Sequence, residues 1–238
     1  TSSSGVISLQ GPTTVTLATT TLTTSGGNIL FGSTLDGSVD STKALTLVAG
    51  TGSITASGAI GGTTRLGAVT ISTAQDATFA ALSATALTQS AGTGTTIFGG
   101  ALNLSTGNCS LTGTNFTFSA PATITAGNVT VTNSGLLTLS SGANVTCHGS
   151  FTKSGGGNSS IGANITTTDA NITLNQTTTF PTSSTVSVGG SLVPGPLLTG
   201  DITFSGPVEG PGPLTIVGDV VTFVSSLGAV TSVNALSV

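Results

Sequence analysis

The chain has no methionine, tryptophan or tyrosine, only two cysteines and one histidine, and charged residues make up just 4% of its 238 positions. A typical soluble protein is about 25% charged. A conventional ionic surface is therefore excluded, and the outside has to be built from Ser, Thr, Asn and main chain. Lys43, Arg65 and Lys153 are the only cations, the net charge is −4, and the cations do not cluster. Clustered Lys and Arg are what displace counterions from phosphates, so no nucleic-acid partner is expected. A spanning helix needs about 20 consecutive apolar residues. Thr interrupts every aliphatic run here, so no membrane insertion is expected. With neither an initiating Met nor a recognisable leader, Thr1 reads as the start of a processed or excised segment.

What the chain does have is 35 Gly, 37% hydrophobic residues and a mean hydropathy of +0.46. Low-complexity Ser/Thr/Gly chains usually bury too little apolar surface to offset the entropy of ordering. This one differs because its apolar residues alternate with Thr or Ser, as in Val15-Thr16-Leu17, Val129-Thr130-Val131 and Val186-Ser187-Val188. Period-2 alternation is the pattern of half-buried strands, so ordered β structure is expected. The Ala-rich stretch Thr73 to Leu87 lacks the i, i+3, i+4 stripe of a helix and is read as part of a coil.

The strands repeat. Val221 to Val238 lies over Ile54 to Ile71 without a gap, with Thr55/Thr222, Gly61/Gly228, Thr64/Thr231 and Ala68/Ala235 identical and aliphatic residues matched between them. Ile29 to Leu47 and Ile202 to Ile216 fit with small changes of length. Self-similarity at such short periods marks a solenoid, propeller or array. The chain divides into about eleven units of roughly twenty residues, each too small to bury its own apolar side chains. Stacked as coils of a parallel β-helix with rungs about 4.8 Å apart, they make a rod roughly 50 Å long. Residues 1–238 are expected to form this single domain, uncapped at its C-terminus. Asp36 to Lys43 and Val193 to Leu197 read as bulged corners, the latter with Pro where no ladder donor is needed.

Nine of the twelve Asn residues lie in N-x-S/T sequons, which in an exported eukaryotic protein would point to glycosylation. A structural role is preferred. Asn28, Asn108, Asn128, Asn144, Asn164 and Asp201 each stand before apolar-polar alternation, where Asn and Asp suit turn geometry and stacking would give a corner ladder. Cys109 and Cys147 are the only cysteines. Both fall at the inward parity, in units separated by one whole coil, which puts their Cα atoms about 9–10 Å apart. A disulfide needs roughly 4.4–6.8 Å, so two buried free thiols are expected.

His148 has no second His or nearby acid with which to hold a metal or activate a nucleophile. Of the carboxylates Asp36, Asp40, Asp76, Asp169, Asp201, Glu209 and Asp219, the pair Asp201 and Asp219 lies about one coil apart and could stack as the paired acids of a glycosidase do. Both occupy corner positions, however, and without Trp or Tyr there is no sugar-stacking platform. No phosphate-binding loop or calcium loop occurs. The expectation is therefore no enzyme, and no catalytic, metal or cofactor-binding residues.

Units of the form N/D-I-T-F-x-G-x-V-x-G followed by L-T-L/I, clearest at Asn28 to Ile71 and Asp201 to Val238, resemble the β-strand repeats of bacterial giant surface proteins, namely filamentous haemagglutinin-like adhesins and autotransporter passengers. The resemblance implies a right-handed parallel β-helix, an extracellular or bacterial cell-surface location, and a role as stalk, adhesin or filament. Solenoids need polar capping repeats, and the chain finishes inside a repeat. Asn234, Leu236 and Val238 are thus candidates for an end-to-end contact, with self or neighbouring segments of a longer chain as partners and host or surface glycans as further ones. The alternative is ligand binding, to ice or glycans, by a flat Thr-rich face built from steps such as Thr21-Leu22-Thr23, Thr112-Gly113-Thr114 and Thr130-Val131-Thr132.

Overall fold

A computed structural model describes residues 5–168, 170–189, 199–228 and 236–237. Every strand pairing within them is parallel, and no helix is present among them. Strand follows strand around a three-faced coil. The first face runs from Ile7–Leu9 and Ile29–Phe31 up through Thr95–Phe98, Asn115–Phe118 and Leu136–Leu139 to Val208–Glu209. The second runs from Thr13–Val15 and Leu35–Gly37 through Leu102–Leu104, Ala122–Ile124 and Val145–Cys147 to Leu214–Val217. The third is a sheet of ten strands, from Thr19–Thr23 to Val221–Phe223. Ile54–Ile60 and Ala77–Ala84 pass around the corner between the first two faces and join them into one 19-stranded sheet.

The architecture is thus the expected all-β parallel solenoid, with about nine turns in place of eleven. The difference lies in the corners. One turn advances 19 residues between Asp76 and Thr95 but 30 between Asn171 and Asp201. A uniform twenty-residue unit therefore overcounts. The corner expected at Val193 to Leu197 falls within that long turn and outside the described residues; Asp169, just before the turn, also lies outside them.

Alternation decides which side chains enter the core. In Val129–Asn133 the burial pattern alternates strictly, with Val129 and Val131 inside and Thr130 and Thr132 at the surface. Because register is kept from turn to turn, inward residues stack in columns. Phe79, Phe98 and Phe118 stack on the first face, with ring centroids 5.8 and 4.8 Å apart. Phe204 lies 5.2 Å from Phe223 in another such stack. Aromatic pairs at these separations add stabilisation beyond their buried area.

The ungapped repeat has a different meaning in three dimensions. Ile54 lies on the first face, paired with Ile29, whereas Val221 lies on the third, paired with Ile202. The overlay therefore displaces the chain by one face. It works because the corners are locally alike. Gly61 and Gly228 both hold φ at 68°, a left-handed value that glycine adopts without a Cβ penalty. Each also donates its N–H to the carbonyl of the apolar residue one turn below, Leu35 and Val208 respectively, at 2.7 Å.

Candidate functional site

The corner residues bond from turn to turn, between side chain and main chain. The Asn28 Oδ1 accepts from Ser53 N–H at 2.9 Å, Asn108 from Asn128 N–H at 2.9 Å, Asn144 from Asn164 N–H at 3.0 Å, and Asn164 from Thr185 N–H at 2.8 Å. Asn128 accepts from both the N–H and the Oγ of Ser150, at 2.8 and 3.1 Å. Asp201 contributes its N–H, donated to Asn171 Oδ1 at 2.9 Å. Asn171, together with Asn115, which receives Leu136 N–H at 2.8 Å, does the same work without having been singled out. Turning chain leaves N–H groups that the ladder does not reach, and a short side-chain acceptor one rung below meets that need.

Carboxylates are used in the same way. Asp36 Oδ1 accepts from Thr63 and Thr64 N–H at 2.8 and 3.1 Å, Asp40 from Arg65 N–H at 3.0 Å, and Asp76 from Thr95 N–H at 2.8 Å. Asp201 and Asp219 do not stack on each other. Ile202 N–H bonds Val220 O and Asp219 N–H bonds Gly200 O, so the two acids are offset by one residue. Among the described residues no group of three or more His, Cys, Asp and Glu could hold a metal ion. His148 is exposed. No helix among them is long and apolar enough to cross a membrane.

Cys109 and Cys147 are free and buried, on the third and second faces respectively. Burial pushes the Cys109 thiol up to about 12, with the neighbouring Cys147 adding to the shift. Burial likewise raises Cys147 to about 12, opposed in part by a main-chain hydrogen bond at Val129. Its Sγ–H points to Gly149 O at 3.2 Å. The thiolate is the reactive form of cysteine, so both thiols are inert near neutrality.

The residue that sequence reading passed over is Lys153. It occupies an inward position, stacked between Val131 and Leu174, and is completely buried. Its ammonium donates to Gly157 O, and to Asn175 O at 3.1 Å, bridging two turns. Both partners are neutral carbonyls, and burial lowers its pKa from 10.5 to about 8. Nearby in register are other buried polar groups, Asn133, Ser159 and Thr178, whose Oδ1, Oγ and Oγ1 have no partner among the described residues. Three turns below Lys153 in the same column, Gln89 and Thr96 satisfy each other at 2.9 Å. The seam between the third and first faces thus gathers most of the buried polar side chains, with Thr167 and Ser184 on the second face as further ones. Parity alone could have located Lys153, since Phe151-Thr152-Lys153 copies Val129-Thr130-Val131.

The third face carries a second feature. At its centre, outward residues from all ten strands pair in unbroken register: Thr21 with Thr46, then Thr70, Thr88 and Ser110. Thr130, Thr152, Thr173, Thr203 and Thr222 continue the column. No hydrogen bond among the described residues engages these ten hydroxyls. Two residues further along, Thr23, Ser90, Thr112, Thr132, Ser154 and Ser205 start a parallel column, interrupted by Val48, Asn175 and Val224. Of the three anticipated Thr steps, Thr21/Thr23 and Thr130/Thr132 lie on this face. Thr112 does too, but Thr114 lies beyond the strand, at the corner, donating to Gly92 O at 3.1 Å.

Of the residues considered for an end-to-end contact, Asn234 and Val238 lie outside the described residues. Leu236 belongs to the short strand Leu236–Ser237, which pairs with Leu214 and Thr215 on the second face.

No family model, curated protein or solved structure matches the chain. The β-solenoid assignment therefore rests on the strand register alone.

Proposed function

We propose that the chain is a structural, extracellular β-solenoid of the filamentous haemagglutinin-like type, serving as the subunit of a surface filament or as a stalk segment of a bacterial adhesin. The observation that carries this reading is the parallel register of about nine turns along one axis, with corners devoted to side-chain bonds that tie each turn to the next. Three of the carboxylates, Asp36, Asp40 and Asp76, are spent on such bonds, and no group of three or more His, Cys, Asp and Glu gathers among the described residues. The edge of a parallel ladder presents a row of N–H and C=O groups along the axis, a template on which another turn, of the same chain or of a second subunit, can pair. Head-to-tail contacts of this kind do not close into a ring and so propagate into filaments. The scarcity of charge removes the repulsion that would oppose it.

Negative-stain electron microscopy of the purified protein tests the reading. The expected image is of rods about 45 Å long, from nine rung-to-rung spacings of about 4.8 Å, that join end to end as concentration rises. Discrete particles that remain monodisperse at every concentration would remove the filament version.

A further inference from the structure

The ten-rank hydroxyl column of the third face is uncharged, unengaged and regular, and no part of a stalk or filament role requires it. Thr is β-branched, so its χ1 is stiff on a strand. Held on a rigid ladder, the nine Thr ranks each repeat a methyl and a hydroxyl about 4.8 Å from the last, Ser110 supplying a hydroxyl alone, with the interrupted second column about 6.6 Å away along the strand.

The chemistry of the face narrows its partner. Protein interfaces are anchored by Trp, Tyr and Arg, none of which stands in this column. Sugar recognition uses aromatic faces, yet the chain has no Trp or Tyr, and eight of its nine Phe are buried, with Phe223 half-buried against the core. Ionic partners would meet no charge in the column. A surface that offers hydroxyls and methyls at fixed repeats is matched to a partner that is itself a lattice of hydroxyl oxygens. Against a lattice, many weak equivalent contacts add along the face and no anchor residue is needed.

We propose that the third face, centred on Thr88, Ser110, Thr130 and Thr152, is an adsorption surface for crystalline water. The proposal does not depend on whether the chain forms filaments. It is tested by measuring the freezing gap and crystal shape in single-crystal ice assays on the purified chain. The expected result is a gap with faceted crystals for the parent protein and its loss in the double variant Thr130→Tyr/Thr152→Tyr. Thr117→Tyr places the same bulk outward on the first face, between buried Phe116 and Phe118, and should keep the gap. Circular dichroism melts establish that all three are folded. A folded parent protein with no gap and unshaped crystals would overturn the proposal, as would equal loss in Thr117→Tyr. Adsorption to insoluble cellulose or chitin without any freezing gap would assign the face to a polysaccharide instead and would likewise overturn it.

Discussion

Lys153 gives this rod an alkaline stability profile whose shape can be worked out in advance. In the folded chain its pKa is about 8, against an ordinary 10.5. Between those values the unfolded chain holds a proton that the folded chain has released, so stability rises with pH. The slope is about 1.4 kcal/mol per pH unit for one group, and the whole interval is worth about 3 kcal/mol. That is an upper value, since the rod is one coil wide and solvent lies just beyond its wall. The two thiols act in the opposite sense. Their pKa values rise from 9.0 to about 12, so above pH 9 the unfolded chain loses protons that the folded chain keeps, and stability falls. Two thiols outweigh one amine. From pH 8 to 9 the amine adds about 1 kcal/mol while the two thiols, already ionising in the unfolded chain, remove about 0.7, so stability should rise by only about 0.3 kcal/mol and then decline.

The chain suits the measurement because it has no tyrosine to titrate in the same range. Urea midpoints followed by circular dichroism, at intervals from pH 7 to 10.5, give the profile. Lys153→Met should abolish the rise between pH 8 and 9 and leave the later fall. Cys109→Ala/Cys147→Ala should remove the fall, so that stability keeps rising towards pH 10.5. If the parent protein and Lys153→Met trace the same curve from pH 8 to 9, the placement of Lys153 in the core is refuted.

Three further outcomes follow from the packing. Phe98→Ala removes the middle ring of the Phe79–Phe98–Phe118 stack and should cost about 3–5 kcal/mol in urea unfolding; a loss under 1 kcal/mol would mean the column is not packed as described. Asn128→Ala deletes the acceptor of two Ser150 bonds at an exposed corner and should cost about 1 kcal/mol, seen most directly as faster hydrogen exchange at the Ser150 amide. At Gly100 a Cβ would stand 1.6 Å from Ala80 O, so Gly100→Ala must push two turns apart and should cost more than about 3 kcal/mol. Gly11→Ala, where nothing lies within 4 Å, should stay within about 0.5 kcal/mol of the parent protein.

Much of this fold was legible because strand parity is a local property. Val129-Thr130-Val131 announces its inside and outside without reference to any other turn, and the inward placement of Cys109 and Cys147 followed from the same rule. The phase of the repeat was not legible in this way. Gly61 and Gly228 share a conformation at two different corners, so an alignment that matches them shifts the chain by a face, and nothing in a single sequence penalises that shift. The number of turns was obscured for a related reason: a corner that lengthens a turn from 19 to 30 residues leaves the strands on either side unchanged. Lys153 was missed because a charge outweighed its parity. The Thr column needed register across ten strands, and register is set by turn lengths that vary too much to be read by eye.

The turn-to-turn bonds also determine how the rod would carry load. All of its strands run around the axis, so the hydrogen bonds between turns lie along it, and tension applied through the chain draws on one turn's bonds at a time. A released turn of 19 to 30 residues extends to about 65–100 Å at roughly 3.4 Å per residue, having occupied about 4.8 Å of the rod. Each rupture therefore yields more than ten times its folded length of slack while the remaining turns stay intact, and the solenoid behaves under force as a spool that pays out chain one loop at a time.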